Sequence, residues 1–396
     1  MKFSDEYFNN CRKIVERDPD LISRVVRYHF FARERGVVVG SNKSVNFIRD
    51  NTYGPLKIYG IQDGGIFCPK QPVLTVEGIF RELVNSETTI LGYLSYSGSA
   101  SSMRQIVKAA NGVPVIDMSP RHYPWQLIEE ASLAAYLGGA VGTSTEGGYN
   151  YVQKWYSPGD KFKLYASLPH ALAALVAEMA EKEKLFPSVM AAKWFRKIFP
   201  EKPITVLVDY EGKELDVAKQ AFEIFGDKLF AVRLDTNGGR QMQGTHPPPK
   251  VLGQGSPAAL ESYFEEQTGR RLGNLMDVFC AVRNFEKISI SNDKASQYYI
   301  GNGVTIEAVY VMRRYLDSIG ADNVKIVVSS GFNEEKVAAF VHAKAPMDFI
   351  GTGSWIEFMM FTADISDVLE NGVWVKRTKA GRTHGKQSEN LLFERK

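Results

Sequence analysis

Apolar and polar positions follow two different patterns along this 396-residue chain. In residues 1–110, short apolar runs at Gly36–Gly40, Leu56–Ile61, Gly65–Phe67 and Val73–Val76 are separated by Asn51, Gly54, Asp63, Gly64 and prolines. That is the pattern of strands joined by tight turns. Asp18–Glu34 has helical spacing, and Ile79–Ala110 is a long helical tract weakened around Gly92, Ser97 and Gly98. An α+β N-terminal domain on an antiparallel sheet is expected.

From Gly112 apolar runs alternate with amphipathic stretches. The runs are Val113–Met118, Ala140–Gly142, Leu164–Leu168, Ile204–Asp209, Phe230–Asp235, Lys287–Ile290, Lys325–Ser329 and Phe349–Thr352. Helices are expected between them at Trp125–Leu137, His170–Lys184, Leu215–Phe225, Ser256–Thr268, Gly303–Ile319 and Glu334–Ala343. The order of runs and stretches predicts an α/β class and an irregular α/β barrel over residues 111–354. After Gly353 the pattern decays. Ala363–Ile365 and Val373–Lys376 around Glu370-Asn371-Gly372 predict a hairpin, and residues 355–396 are expected to return to the N-terminal domain and complete it.

A barrel gathers the carboxyl ends of its strands at one mouth, so the residues ending each run are the candidate site. They are Asp117, Thr143, Ser144, His170, Asp209, Asp235, Ser330 with Gly331, and Gly351-Thr352-Gly353. Small residues at a strand end expose backbone amides that cradle a phosphate, or simply make a tight turn. Arg121, just past Asp117, has the planar fork that pairs with a carboxylate or phosphate, and equally with a surface acid. Arg233 and Asp235 lie two apart on a strand and share a face, which fits phosphate and ribose or hydrated Mg²⁺ binding, or an internal ion pair. Asp209 is a further candidate near a sugar or metal. A lone histidine such as His170 is most often structural.

Composition narrows the class. With 48 basic and 45 acidic residues the net charge is +3, which argues against a nucleic-acid or membrane-surface protein. No run approaches the roughly 20 apolar residues of a membrane helix, and the N-terminus lacks a signal-peptide core. Cys11, Cys68 and Cys280 are odd in number and scattered, so neither disulfides nor a structural zinc site is expected. A cytoplasmic protein is expected.

Several strings, in order, resemble the nicotinate phosphoribosyltransferase family of type II phosphoribosyltransferases. SDEYF (Ser4–Phe8) is similar to its D-x-Y element. CPKQPVLTVEG with ETTILGYL (Cys68–Gly78, Glu87–Leu94) resembles its P-x-x-P and E-T-x-[IL]-L signature. DMSPRHY, GGAVGTSTEG, SLPHAL, VRLDTNG and DFIGTGSWI match its D-x-x-x-R, G-G-x-x-G-T-S, M-P-H, V-R-[IL]-D-S-G and G-[IV]-G-T elements. The chain departs from the family at Ala166-Ser167, where G-T is usual, and at Gly238, where a second acid is usual.

The resemblance implies synthesis of nicotinate mononucleotide and pyrophosphate from nicotinate and phosphoribosyl pyrophosphate (PRPP), with Mg²⁺ as cofactor and ATP as co-substrate. By the same likeness His170 is phosphorylated by ATP, and the glycine strand ends hold the 5′-phosphate. Arg121 lies near the ring or the phosphates, and Tyr7 stacks on the ring from the partner in a homodimer or higher homo-oligomer with sites shared across the dimer. Nicotinamide-using relatives carry an aspartate at the position matching Ser144, so the serine favours nicotinate. The alternatives are a nicotinamide or quinolinate phosphoribosyltransferase, or a non-catalytic nucleotide-binding paralogue.

Overall fold

The computed structural model describes residues 4–245, 262, 265–266, 280–283, 286–289 and 297–396. Two compact units emerge. One comprises Met1–Arg104, Glu130–Gly139 and Ile356–Lys396, and the other Gln105–Glu129 with Ala140–Trp355. The expected division fell at 110/111, with a return after 354. The inclusion of Glu130–Gly139 in the first unit was not anticipated.

The first unit is built on a six-stranded antiparallel sheet in the order Val373–Lys376, Phe361–Glu370, Val25–Ala32, Pro72–Ile79, Leu56–Gly60, Leu391–Arg395. Its core includes Phe30, Ile58, Phe67, Leu74 and Val76. The C-terminal hairpin turns at Asn371 and Gly372, both with positive φ (51° and 81°), as a tight two-residue connection requires.

One expectation is overturned. Within Asp18–Glu34, where a helix was expected, Val25–Ala32 is a strand paired on both sides. Its sequence VVRYHFFA is dense in β-branched and aromatic residues, and packing between two neighbours outweighs the helical spacing. The long tract after Ile79 divides, as its glycines and serines imply, into helices Phe80–Leu83, Glu87–Ser95 and Ser97–Ala109.

The second unit carries seven parallel strands in the order Lys163–Leu164, Gly142–Thr143, Val115–Asp117, Phe349–Thr352, Lys325–Val328, Leu229–Leu234, Ile204–Leu207. The Val115–Asp117 strand pairs with Phe349–Thr352, the last of the seven in sequence, which is the closure a barrel requires. Among the described residues the ring stays open between Lys163–Leu164 and Ile204–Leu207, so the sheet is a parallel half-barrel. Runs such as Val206–Leu207, Ala231–Leu234 and Ile326–Val328 are buried because helices cover a parallel sheet.

Lys287–Ile290 was expected to be a barrel strand. Glu286–Ser289 instead pairs antiparallel with Cys280–Arg283, apart from the seven. Ser256–Thr268 lies outside the described residues, apart from 262 and 265–266. No helix among the described residues is long and apolar enough to cross a membrane.

Candidate active site

The second unit holds a cavity of about 260 Å³ whose lining takes in Arg121, Ser144 and Arg233, while His170, Asp209, Asp235 and the two glycine-rich turns are not among its lining residues. Its polar wall includes Arg121, Ser144, Ser167, Thr205 and Arg233, and its apolar wall includes Met118, Tyr165, Phe230 and Phe349. The Phe349 ring centroid lies 6.1 Å from those of both Tyr165 and Phe230. Among the described residues no carboxylate lines the cavity.

Arg233 is the fixed cation of this wall. Its Nε donates to Ser329 Oγ (2.9 Å), Nη1 to Ser167 Oγ (2.8 Å) and Nη2 to Asp235 Oδ2 (2.9 Å). Ser329 Oγ in turn donates to Asp235 Oδ1 at 2.7 Å. A guanidinium has five N–H groups, so two remain after these contacts for a ligand. Arg233 and Asp235 do share a face, as their spacing on the strand implies, and they pair.

Asp117 is fully buried. Ser119 N (2.9 Å) and Trp355 Nε1 (3.2 Å) donate to one of its oxygens, and Thr143 Oγ1 (3.0 Å) to the other. Burial pushes its carboxyl above the usual range, while these hydrogen bonds oppose the shift. Asp117 and Thr143 therefore join strand ends beneath the cavity wall and are not among its lining residues.

His170 begins the helix His170–Leu175, and its Nε2 is 3.2 Å from both oxygens of Asp209. The imidazole is 43% exposed while Asp209 is 7% exposed, so a buried acid orients an accessible ring. Burial raises the Asp209 pKa, the nearby His170 lowers it, and Asp235 raises it again. Arg240 braces the group by donating to the Asp209 carbonyl (2.7 Å) and pairing with buried Glu214 (2.6 Å).

The two glycine-rich turns meet. Thr352 Oγ1 donates to the Phe332 carbonyl at 2.6 Å, joining the Gly351-Thr352-Gly353 end to the Ser330-Gly331 turn. Ser330 and Gly331 both have positive φ (77° and 71°). Lys336 donates its ammonium to the Ser330 carbonyl at 2.9 Å, and burial lowers its pKa to about 8.

Tyr7 lies in the first unit, 63% exposed on the helix Glu6–Val15. The sequence reading missed Ser167, Ser329 and the three aromatic rings. Ser167 stood inside the SLPHAL string, but nothing local announced its bond to Arg233.

Comparisons with known proteins point the same way. Residues 5–98 match the family described as quinolinate phosphoribosyl transferase, N-terminal domain. The crystal structure of nicotinate-nucleotide pyrophosphorylase from Pyrococcus furiosus is 27% identical, with TM-score 0.68 over 97% of this chain and 79% of that one. Nicotinate phosphoribosyltransferase pncB1 of Mycobacterium tuberculosis is 28% identical over 180 residues, 45% of this chain. The chain is thus similar to nicotinate phosphoribosyltransferases and, over residues 5–98, to the quinolinate phosphoribosyl transferase N-terminal domain. Its match to pncB1 spans only 38% of that relative's length. Human nicotinic acid phosphoribosyltransferase shares the fold at 14% identity, with TM-score 0.57 over 92% of this chain and 75% of that one. The half-barrel with a separate antiparallel sheet is thus a fold shared with these solved structures.

Proposed function

We propose that this protein joins nicotinate to PRPP, releasing pyrophosphate and nicotinate mononucleotide for NAD synthesis. The observation that carries the reading is the cavity wall itself: two arginines, two serines and a threonine, with no carboxylate among the described residues, facing aromatic rings. Its volume lies below the about 300–1,000 Å³ of drug-sized sites, which suits a single ring. A pyridine carboxylate meets the free N–H groups of Arg233 and the fork of Arg121, while Ser144 and Ser167 add hydroxyls. An aspartate in place of Ser144 would repel that carboxylate and favour an amide.

In the reaction the pyridine nitrogen bonds to C1 of the ribose as the C1–O bond to pyrophosphate breaks. Charge develops on the sugar, so positioning and fixed polar groups supply most of the acceleration. Asp235, held by Arg233 and Ser329, is the acid nearest that charge. Asp209 and Asp235 repel one another across neighbouring strand ends, and these two carboxylates would help hold a Mg²⁺ ion bound with pyrophosphate. When bound, the ion would neutralise the leaving group. Among the described residues no group of three His, Cys, Asp or Glu side chains is arranged to hold a metal by itself.

His170 fits the ATP-linked step. With Nε2–H donated to Asp209, Nδ1 carries the lone pair, and the exposed ring accepts the γ-phosphoryl group as ADP leaves. Hydrolysis of the N–P bond then returns the histidine.

The test is product formation from PRPP and Mg²⁺ with nicotinate, nicotinamide or quinolinate, each with and without ATP. Nicotinate should give the highest kcat/KM and respond to ATP, and His170→Ala should lose the ATP response. Preference for nicotinamide or quinolinate would overturn the substrate assignment. Nucleotide binding without turnover would favour the non-catalytic reading.

A further inference from the structure

The turn after the Val115–Asp117 strand carries a histidine that the roles above leave unused. Residues Ser119–His122 form one 3₁₀ turn, and Arg121 and His122 are both exposed. Met118 N donates to the Thr352 carbonyl at 2.7 Å, which seats the turn against the glycine-rich strand end. The fit is close enough to dictate residue type. A Cβ on Gly353 would lie 2.8 Å from His122 Cδ2 and 2.9 Å from Nε2. One on Gly351 would lie 2.5 Å from the Met118 sulfur. Glycine at 353 thus gives the imidazole its place, directly over the backbone of the strand end. Neither Arg121 nor His122 has a hydrogen-bond or ion-pair partner among the described residues.

Those two side chains border a patch whose other edge is the Ser330-Gly331 turn, joined to it through Thr352. Ser330 and Gly331, both with positive φ, form a tight turn of small residues at the neighbouring strand end, a place where backbone amides can meet an anion. The remaining charged groups nearby are accounted for. Lys336 donates to the Ser330 carbonyl, and Asp117 lies buried behind the turn with both oxygens hydrogen-bonded.

We propose that His122 is a substrate-contacting residue, its ring N–H donating to the 5′-phosphate held at the Gly351-Thr352-Gly353 and Ser330-Gly331 turns. The proposal rests on the reading of this site as a phosphoribosyl site. It assigns a side chain to a phosphate cradle otherwise made of backbone. A neutral imidazole suffices as donor, so the role needs no particular charge state.

The experiment measures equilibrium binding of nicotinate mononucleotide and of nicotinate riboside, which lacks the phosphate, to the full chain. The native chain, His122→Phe and His122→Gln are compared. Phenylalanine keeps a ring over Gly353 without a donor, and glutamine keeps an N–H without the ring. The native chain should prefer the phosphorylated ligand. His122→Phe should lower that preference about tenfold or more, as expected for a lost hydrogen bond to a charged group. Riboside affinity should be unchanged, and His122→Gln should keep most of the preference. A native chain blind to the phosphate would overturn the site reading and this proposal together. A native preference that survives His122→Phe intact would overturn the role of His122 alone. Equal loss in both variants would also overturn it, since ring shape and not the donor would then matter.

Discussion

At the scale of single residues, Arg233 does two jobs that mutation can separate. In the proposed function it reads a ligand through its spare N–H groups, and in the fold it neutralises Asp235, whose side chain is only 17% exposed. Removing one partner of a buried pair costs about 3–5 kcal/mol because the other charge is left stranded. Arg233→Met should therefore lower stability by about that amount as well as abolish turnover. Arg233→Met with Asp235→Asn should recover part of the stability in denaturant titration, but none of the activity. Full stability in the single variant would show that the pair is not what holds Asp235. Ser144 has the opposite profile. As a cavity-wall residue it should tolerate substitution, and Ser144→Asp should shift the ratio of kcat/KM values toward nicotinamide by about tenfold or more. An unchanged ratio would remove Ser144 from the specificity argument. The sequence displayed Arg233, Asp235, Ser144 and His170, because each stands at the end of an apolar run. It did not display Ser167 or Ser329, which meet Arg233 from 66 and 96 positions away. Nor could it reveal that Asp117 is enclosed, since that depends on Trp355, 238 positions away in sequence.

At the scale of elements, the half-barrel depends on close backbone approach at its short strands. Gly142 sits where a Cβ would collide with the Lys163 carbonyl and the Tyr165 ring. Gly142→Ala should disturb the pairing of Gly142–Thr143 with Lys163–Leu164 and so displace Ser144 and Ser167 beyond it. A loss of about 1–3 kcal/mol is expected for such overpacking. Thermal denaturation that matches the native chain would show that the edge strand yields without cost. The strand runs around the mouth were legible because parallel strands buried on both faces read as unbroken apolar stretches. The helix Ser41–Asn51 was not, although it is well formed. Its first amides are satisfied by Asp63, whose Oδ1 accepts from Ser41 N at 2.7 Å, so the cap lies outside the local sequence. Val25–Ala32 failed for a related reason, since its place inside a sheet comes from strands distant in sequence.

At the scale of the whole molecule, buried ionisable groups make stability depend on pH in a way the net charge does not show. Glu87 accepts from the Tyr28 hydroxyl, and burial, with help from Asp364 and Asp5, raises its pKa from an ordinary 4.5 to about 7. The folded chain therefore holds this proton where the unfolded chain releases it. The stability it contributes is complete below about 4.5 and is lost as pH rises through 7. Glu87→Gln mimics the protonated carboxyl, so the variant should gain stability relative to the native chain between pH 5 and 8. A constant difference across that range would contradict the shifted carboxyl. Lys336 acts in another window. The unfolded chain binds its proton up to about 10.5 while the folded site releases it near 8, so stability should rise with pH between those values.

The central claim is that the cavity recognises a pyridine carboxylate through Arg233, Arg121 and the absence of any lining acid. Equilibrium binding of nicotinate mononucleotide against nicotinamide mononucleotide to the native chain tests it most directly, because the two ligands differ only in the group that faces that wall. The account predicts affinity for the nicotinate form at least about tenfold higher, the scale of one charge-assisted hydrogen bond. Equal affinities, or tighter binding of the amide, would contradict it.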